Sequence, residues 1–160
     1  MTLRKPLVII AGQVQQLSAS DSLDAAVSEQ EVLTLTNGNA SPIVIGNAVY
    51  ISAAATVDLA KADASATKEA IGLVKDTSIN ADATGSILTD GVLTATTTQW
   101  DAVAGTTGGL TAGATYYLDP DTAGLLTETA PTTVGDYVVK MGVAVSTTDL
   151  KLDIEISVLL

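Results

Sequence analysis

Histidine and cysteine are both missing from this 160-residue chain. Without thiols no disulfide can form. Without thiolate or imidazole ligands the ordinary zinc sites are excluded, along with every catalytic arrangement that uses histidine as its base. Phenylalanine is absent too, and aromatic residues make up 3% of the chain against a hydrophobic fraction of 47%, so a core must be built from Val, Leu, Ile and Ala. Such side chains suit a thin sandwich or small barrel. Each buries less area than an aromatic ring, and a core of this kind calls for support from neighbouring subunits, so a homo-oligomer is expected. Basic residues are scarce: 7 Lys and Arg stand against 18 Asp and Glu, a net charge of −11. With no basic cluster beyond Arg4-Lys5, the counterion release that drives most nucleic-acid binding has no source, and nucleic acid is not an expected partner. The same acidity favours solubility and discourages random association. Long apolar runs are lacking as well. The run Leu7-Val8-Ile9-Ile10-Ala11 gives way to Gln13, Gln15 and Gln16, short of the ~7–15 residues of a secretory core. No window approaches the ~18 apolar residues of a membrane span. A soluble protein made in a cytoplasm is expected, with no membrane partner.

What is present reads as β-structure throughout. The length suits one ordinary domain. The organising stretch runs from Gly108 to Ser146: Tyr116, Tyr117 and Leu118 lead into the turn cluster Asp119-Pro120-Asp121-Thr122-Ala123-Gly124, Leu125 to Thr127 heads back, and Asp136 to Ser146 alternates apolar with small or polar residues. An earlier segment has the same layout. Gly46-Asn47-Ala48-Val49-Tyr50-Ile51 matches Gly113-Ala114-Thr115-Tyr116-Tyr117-Leu118, and Ile71-Gly72-Leu73-Val74 matches Met141-Gly142-Val143-Ala144. The Gly-to-Gly spacings are 26 and 29 residues, a difference of one loop length, which indicates a degenerate duplication of one β unit. The fold class is all-β: a small barrel or sandwich of short antiparallel strands with at most one or two short helical turns.

In chain order, residues 1–40 form an N-terminal arm or hairpin segment, with strands at Leu7 to Ile10, Gln13 to Leu17 and Glu31 to Thr36, the last closed by the turn signal Asn37-Gly38. Residues 41–160 form the β-rich domain, with related units at about 41–79 and 108–160. Lys61 to Ala70 is locally helix-friendly, but with few apolar residues it predicts one or two turns at most rather than a packed helix. The link between the units carries Asp90-Gly91, which predicts a two-residue hairpin between Gly85 to Thr89 and Val92 to Thr96. Thr97 to Val103 predicts a helical turn holding the only tryptophan, Trp100. Leu150 to Leu160 alternates strictly, placing Leu150, Leu152, Ile154, Ile156 and Val158 on one face of a half-buried closing strand.

Candidate chemistry is thin. Ser65-Ala66-Thr67-Lys68 matches the Ser-x-x-Lys pattern of acyl-transferring enzymes, but no Ser-Asp-Asn or Lys-Thr-Gly element accompanies it. Asp119 to Gly124 resembles the opening of a calcium loop, yet Ala123 and Ala130 stand where ligands are required, so a turn is the better reading. Asn39-Ala40-Ser41 fits a glycosylation triplet and reads as a turn. Gly105 to Gly109 lacks the lysine of a phosphate cradle. Trp100 with Tyr116 and Tyr117 has the chemistry of a sugar-stacking platform, but a rare large aromatic in an Ala/Val core is more often its packing anchor. No catalytic residue, cofactor or metal site is assigned, and an enzyme is not expected.

The one candidate binding element is the arm. Leu3, Leu7, Val8, Ile9, Ile10, Val14 and Leu17 share a segment with Arg4 and Lys5, the only basic pair on an acidic chain. An apolar, locally basic strand pair suits addition to an exposed sheet edge on a partner, and Pro6, lacking a backbone donor, suits the start of an edge strand; the alternative is that the segment completes this chain's own barrel.

The opening KPLVIIAGQVQQLSASDSLDA resembles a short leader of tailed-bacteriophage structural proteins. The blocks GNAVYISAAATVDLAKADASATKEAIGLV and DGVLTATTTQWDAVAGTTGGLTAGATYYLDPDTAGLLT are similar to small β-rich capsid decoration (cement) proteins and to adaptor modules on tail fibres. The resemblance implies a virion protein on the capsid exterior, assembled in the host cytoplasm. It would bind the phage major capsid protein and stabilise the coat lattice. A trimer is the implied state, since decoration proteins often occupy threefold positions. The alternative is a tail-fibre or receptor-binding module.

Overall fold

Short alternating segments separated by turn residues do fold as strands. The computed structural model describes residues 30–160, together with the backbone of two strands upstream, β1 (Leu7–Ile10) and β2 (Gln13–Gln16), which pair antiparallel with each other. The chain continues through β3 (Glu31–Asn37), β4 (Ile43–Val44), β5 (Ala48–Ala53), β6 (Thr56–Leu59), β7 (Ala70–Val74), β8 (Ser78–Ile79), β9 (Thr84–Asp90) and β10 (Val92–Thr94). After α1 (Thr97–Ala104) come β11 (Thr115–Leu118), β12 (Leu126–Thr127), β13 (Tyr137–Val138), β14 (Lys140–Ala144), β15 (Asp149–Leu152) and β16 (Val158–Leu159). The fold is all-β, with one short helix among the described residues.

Two five-stranded sheets dominate. The first runs β3-β9-β7-β5-β6 and closes on itself through a parallel β3–β6 contact, giving a small barrel. The second runs β10-β15-β14-β11-β12 and stays open. The order is the same in both, and so is the register. Val49 lies opposite Gly72 with an irregularity before Tyr50; Tyr116 lies opposite Gly142 with an irregularity before Tyr117. Gly46 and Gly113 both take positive φ, 86° and 83°, where a Cβ is strained, and their amides donate to the Val74 and Ala144 carbonyls at 2.9 and 2.8 Å. The duplication extends further upstream than these Gly-anchored segments alone indicate. Leu33 pairs with Ile87 in β9 as Leu93 pairs with Leu150 in β15, which aligns Val32-Leu33-Thr34-Leu35-Thr36 with Val92-Leu93-Thr94-Ala95-Thr96.

The two sheets differ in how they close. β3 runs on through Thr36 and Asn37 to reach β6, whereas its counterpart β10 stops at Thr94 and the chain enters α1. Thr96 and Gln99 form a reciprocal capping box there, and Gly105 ends the helix in the left-handed region at φ 62°. The helix packs on β12 and buries Trp100 and Val103.

The core follows the pleat. Val49, Val57, Val74 and Ile87 fill the barrel with Ile43 and Ile79, while their alternate neighbours Ala48, Leu73 and Leu88 point the other way. These join Leu93, Trp100, Tyr116, Leu118, Met141, Leu150 and Leu152 in one continuous cluster. β7 and the middle of β9 are therefore buried on both faces, and the seam between the sheets is core.

Lys61 to Glu69 forms turns and no packed helix, as its few apolar residues dictate; the run is closed by Lys61 N–H to the Thr67 carbonyl at 3.1 Å and stitched by the Thr67 hydroxyl. Two expectations need correction. Asp90-Gly91 does not close a hairpin. β9 takes β3 and β7 as its neighbours and β10 takes β15, so the dipeptide is the junction between the sheets, with Gly91 at φ 110°. Leu150 to Leu160 is not one closing strand. Leu150 and Leu152 are buried as the alternation requires, but residues 153–157 are irregular and the chain then pairs with β13.

Candidate functional site

Most side chains that carry chemistry hold loops in place. Asp101, on the helix, accepts from the backbone amides of Gly109 (2.8 Å) and Gly108 (3.1 Å) and from the Thr106 hydroxyl (3.1 Å). The Gly109 amide is the main cause of its carboxyl lying below the ordinary value. The Gly105 to Gly109 segment is thus a loop tied to a carboxylate rather than a cradle for an anion. Asp149 accepts from Ser146 Oγ at 2.5 Å and Thr94 Oγ1 at 2.6 Å, and these hydroxyls hold it, too, below its usual range.

The Asp119 to Gly124 turn is a latch between the two repeated units. Asp119 accepts from the amides of Asp121 (2.7 Å) and Thr122 (2.8 Å). The Gly124 carbonyl then accepts from Ala48 N–H at 2.9 Å and Asn47 Nδ2 at 3.2 Å, while Gly124 N–H donates to Ala60 at 2.7 Å. Gly124 sits at φ 78°, and a Cβ there would crowd Leu59. Among the described residues, no group of three or more acidic side chains is placed to hold a metal ion.

Asn47 is nearly buried and Asn37 fully so. Asn37, read from sequence only as a turn former, donates to the Ile79 carbonyl (2.9 Å) and the Ser41 carbonyl (3.0 Å) and accepts from Asn39 N–H (2.8 Å). Asn39 in turn accepts from Ser41 N–H, so the glycosylation-like triplet is a side-chain-supported turn.

Trp100 and Tyr116 are core anchors. Both are fully buried; Trp100 Nε1 donates to the Thr148 carbonyl at 2.9 Å. The Tyr116 hydroxyl donates to Glu128 at 2.5 Å and accepts from Thr111 N–H at 2.9 Å. Burial is the first cause raising the Tyr116 phenol above its ordinary value, and contacts with Thr111 and Tyr116 lower the Glu128 carboxyl.

Among the described residues Lys68 makes no hydrogen bond to Ser65. The Lys68 ammonium instead donates to Ser157 Oγ at 2.7 Å and to Glu69, and lies 5.0 Å from the centre of the Tyr137 ring. The Lys68 side chain thus fastens the C-terminal segment. Lys140 does the same from β14, pairing with Asp153 (2.7 Å) and Glu155. The Asp153 contact is first among the causes that raise its ammonium well above the ordinary value, and Asp153 is lowered in return.

The segment so fastened presents the largest apolar exposure in the described chain. Ile156 is 93% exposed, Val158 and Leu159 59% each, Leu160 40%, and Val134, next to the Gly135 that bonds Leu160, 87%. β16 lies along β13, with Leu160 N–H donating to the Asp136 carbonyl and Gly135 N–H to the Leu160 carbonyl. A second apolar feature is a groove of about 310 Å³ between Val44 and Ile45 on one side and Thr98, Gln99 and Ala102 of α1 on the other. Of the arm residues, Leu3, Arg4, Lys5 and Leu17 lie outside the described residues. Leu7, Val8, Ile9 and Ile10 form β1 and Val14 lies in β2, opposite Ile9. Among the described residues, no helix is long and apolar enough to cross a membrane.

No family model matches the sequence, and no curated protein matches it. Among solved structures, a chain from the capsid of Myoviridae phage XM1 aligns over 89% of this chain and 93% of its own length, at 20% identity and a TM-score of 0.46. That likeness is below the level at which function transfers.

Proposed function

We propose that this chain is a structural protein of a tailed-phage virion, a decoration protein that sits on the outside of the head, binds the major capsid protein and stabilises the coat lattice. One observation carries the reading. The sequence blocks that resemble virion proteins supply β5, β6 and β7 of one sheet and β10, β11 and β12 of the other, so the resemblance runs through both sheets rather than over a single turn. The remaining chemistry is consistent with a rigid building block: carboxylates and asparagines tie loops down, and lysines fasten the terminal segment. A protein that binds only the assembled lattice stabilises it by mass action, by about 2.7 kcal/mol per site at a hundredfold excess over Kd. The role is structural rather than catalytic.

Immunogold electron microscopy of virions carrying this chain tests the proposal. Label over the head, together with shells that leak DNA at lower temperature when the chain is omitted, supports it. Label confined to the tail replaces it with the fibre or adaptor alternative, and virions without label overturn both.

A further inference from the structure

Asn-Gly and Asp-Gly are the dipeptides whose main chain most readily attacks its own side chain. Glycine has no Cβ to hinder the following amide, so that nitrogen can close a five-membered ring on the side-chain carbonyl carbon. The chain holds one of each, Asn37-Gly38 and Asp90-Gly91, and a threonine precedes both. Their local chemistry is therefore nearly matched, and the fold decides which is open to reaction. Asn37 is closed to it. The side chain is fully buried, Nδ2 donates to the Ile79 and Ser41 carbonyls at 2.9 and 3.0 Å, and Oδ1 accepts from Asn39 N–H at 2.8 Å. The nucleophile is engaged as well, since Gly38 N–H donates to the Val57 carbonyl at 2.8 Å.

Asp90 is in the opposite state. It is exposed and is the last residue of β9. It pairs with Glu31 beside an irregularity in the register, whereas β7 reaches along β9 no further than Leu88. The adjacent Thr89 hydroxyl donates across to the Glu31 carbonyl at 3.1 Å rather than to the Asp90 carboxylate. Among the described residues nothing donates to that carboxylate, and the Gly91 amide donates to no backbone carbonyl.

We infer that Asp90 is a self-modification site, at which the folded chain passes through a succinimide to isoaspartate. The Gly91 nitrogen forms a bond to Asp90 Cγ, and the carboxyl hydroxyl leaves with the amide proton as water. A water then adds at the Asp90 main-chain carbonyl carbon and breaks its bond to the Gly91 nitrogen, so the peptide runs on through Cγ. The composition is unchanged and water is the only co-reactant. The product has one extra main-chain atom between β9 and β10, at the junction of the barrel with the open sheet. There the Gly91 carbonyl accepts from Leu152 N–H at 2.9 Å, and Val92 pairs with Lys151. Conversion should therefore loosen this junction and lower the melting temperature. The inference concerns the chain's own chemistry and does not rest on the virion reading.

The variant Asp90→Asn makes the test internal, because the chain then carries Thr-Asn-Gly twice, at 36–38 and at 89–91. Full-length parent and variant are held for several weeks at physiological temperature, both folded and in urea. Digestion and mass spectrometry with electron-transfer fragmentation then locate isoaspartate residue by residue, and a melting curve at the start shows that the variant is folded. In the folded parent, isoaspartate should gather at position 90 ahead of every other Asp and Asn. In the folded variant, position 90 should convert at least roughly tenfold faster than Asn37, which must first release several hydrogen bonds by local opening. In urea the two positions should convert at similar rates. A folded parent with no more isoaspartate at 90 than at its other Asp positions overturns the inference, as does a folded variant in which Asn37 keeps pace with position 90. If the variant does not fold, the parent alone decides: isoaspartate at position 90 that forms only in urea overturns the inference.

Discussion

Gly72 and Gly142 occupy the same place in the two sheets, and replacing each with alanine tests the duplication and its packing together. A Cβ built at Gly72 falls under 3.0 Å from the Leu88 carbonyl oxygen, and one at Gly142 equally close to the Lys151 oxygen. Both obstacles are backbone, which has no rotamer to yield. A comfortable carbon-to-oxygen approach across strands is roughly 3.3 Å or more, so β7 must part from β9, and β14 from β15, by roughly 1 Å. Overpacking of this kind costs about 1–3 kcal/mol. Each ladder hydrogen bond lost adds about 1 kcal/mol. Against these, the alanine restricts the unfolded chain, worth about 0.4–1 kcal/mol. The net expectation is destabilisation by about 2–4 kcal/mol at each site, similar at the two because the registers are the same. Urea unfolding followed by circular dichroism measures it: the midpoint should drop by roughly 1–2 M with little change in slope. Gly105→Ala serves as the contrast. Nothing lies within 4 Å of its Cβ, so only the left-handed backbone at φ 62° is penalised, by about 1–2 kcal/mol. If Gly72→Ala and Gly142→Ala both fall within about 0.5 kcal/mol of the parent, the close strand approach is wrong and the equivalence of the two sheets loses its physical basis.

Trp100→Ala should destabilise by about 3–5 kcal/mol through the cavity it leaves, and Trp100→Phe by less, since the ring volume is mostly kept while the Thr148 carbonyl loses its donor; thermal melts of the two variants read the difference. Stability should be nearly flat from pH 5 to 9, for no histidine or cysteine titrates there. It should fall below about pH 4, because Asp101, Glu128, Asp149 and Asp153 have folded-state values below their unfolded ones and contribute stability only while ionised; Asp149→Asn should lower the plateau and soften that acid limb, and an unchanged pH profile would refute the assignment. Asn37→Ala leaves the buried Ile79 carbonyl without its donor and should cost about 1–3 kcal/mol, measured by denaturant midpoint. Purified protein should turn over neither esters nor β-lactams; turnover abolished by Ser65→Ala would overturn the structural reading.

What the sequence determined by itself is what depends on neighbours along the chain. The alternation of Thr115 to Leu118 and of Lys140 to Ala144, the turn chemistry of Asp119 to Gly124, the helical turn around Trp100 and the paired glycines of the two units all arise from side-chain periodicity and backbone preference. They specified an all-β chain with a repeated unit. Tertiary structure decided which strand lies beside which. Asp90-Gly91 has the dihedral freedom of a hairpin turn, but β9 was already paired on both edges and β10 found β15, so the turn became a junction. A period of two assigns Ile156 and Val158 to a face without saying whether anything covers that face; Ile154 still packs on the core, but Ile156 and Val158 stand exposed among the described residues. Asn37 and Asn47 look like ordinary turn residues in the sequence. Their burial, and the hydrogen bonds that make them a knot in the barrel and a latch between the sheets, exist only because β8 and the Gly124 loop arrive from 42 and 77 residues away. Local propensity is written residue by residue, whereas partner choice is settled by which distant surfaces exclude water together, and that is where the sequence alone fell short.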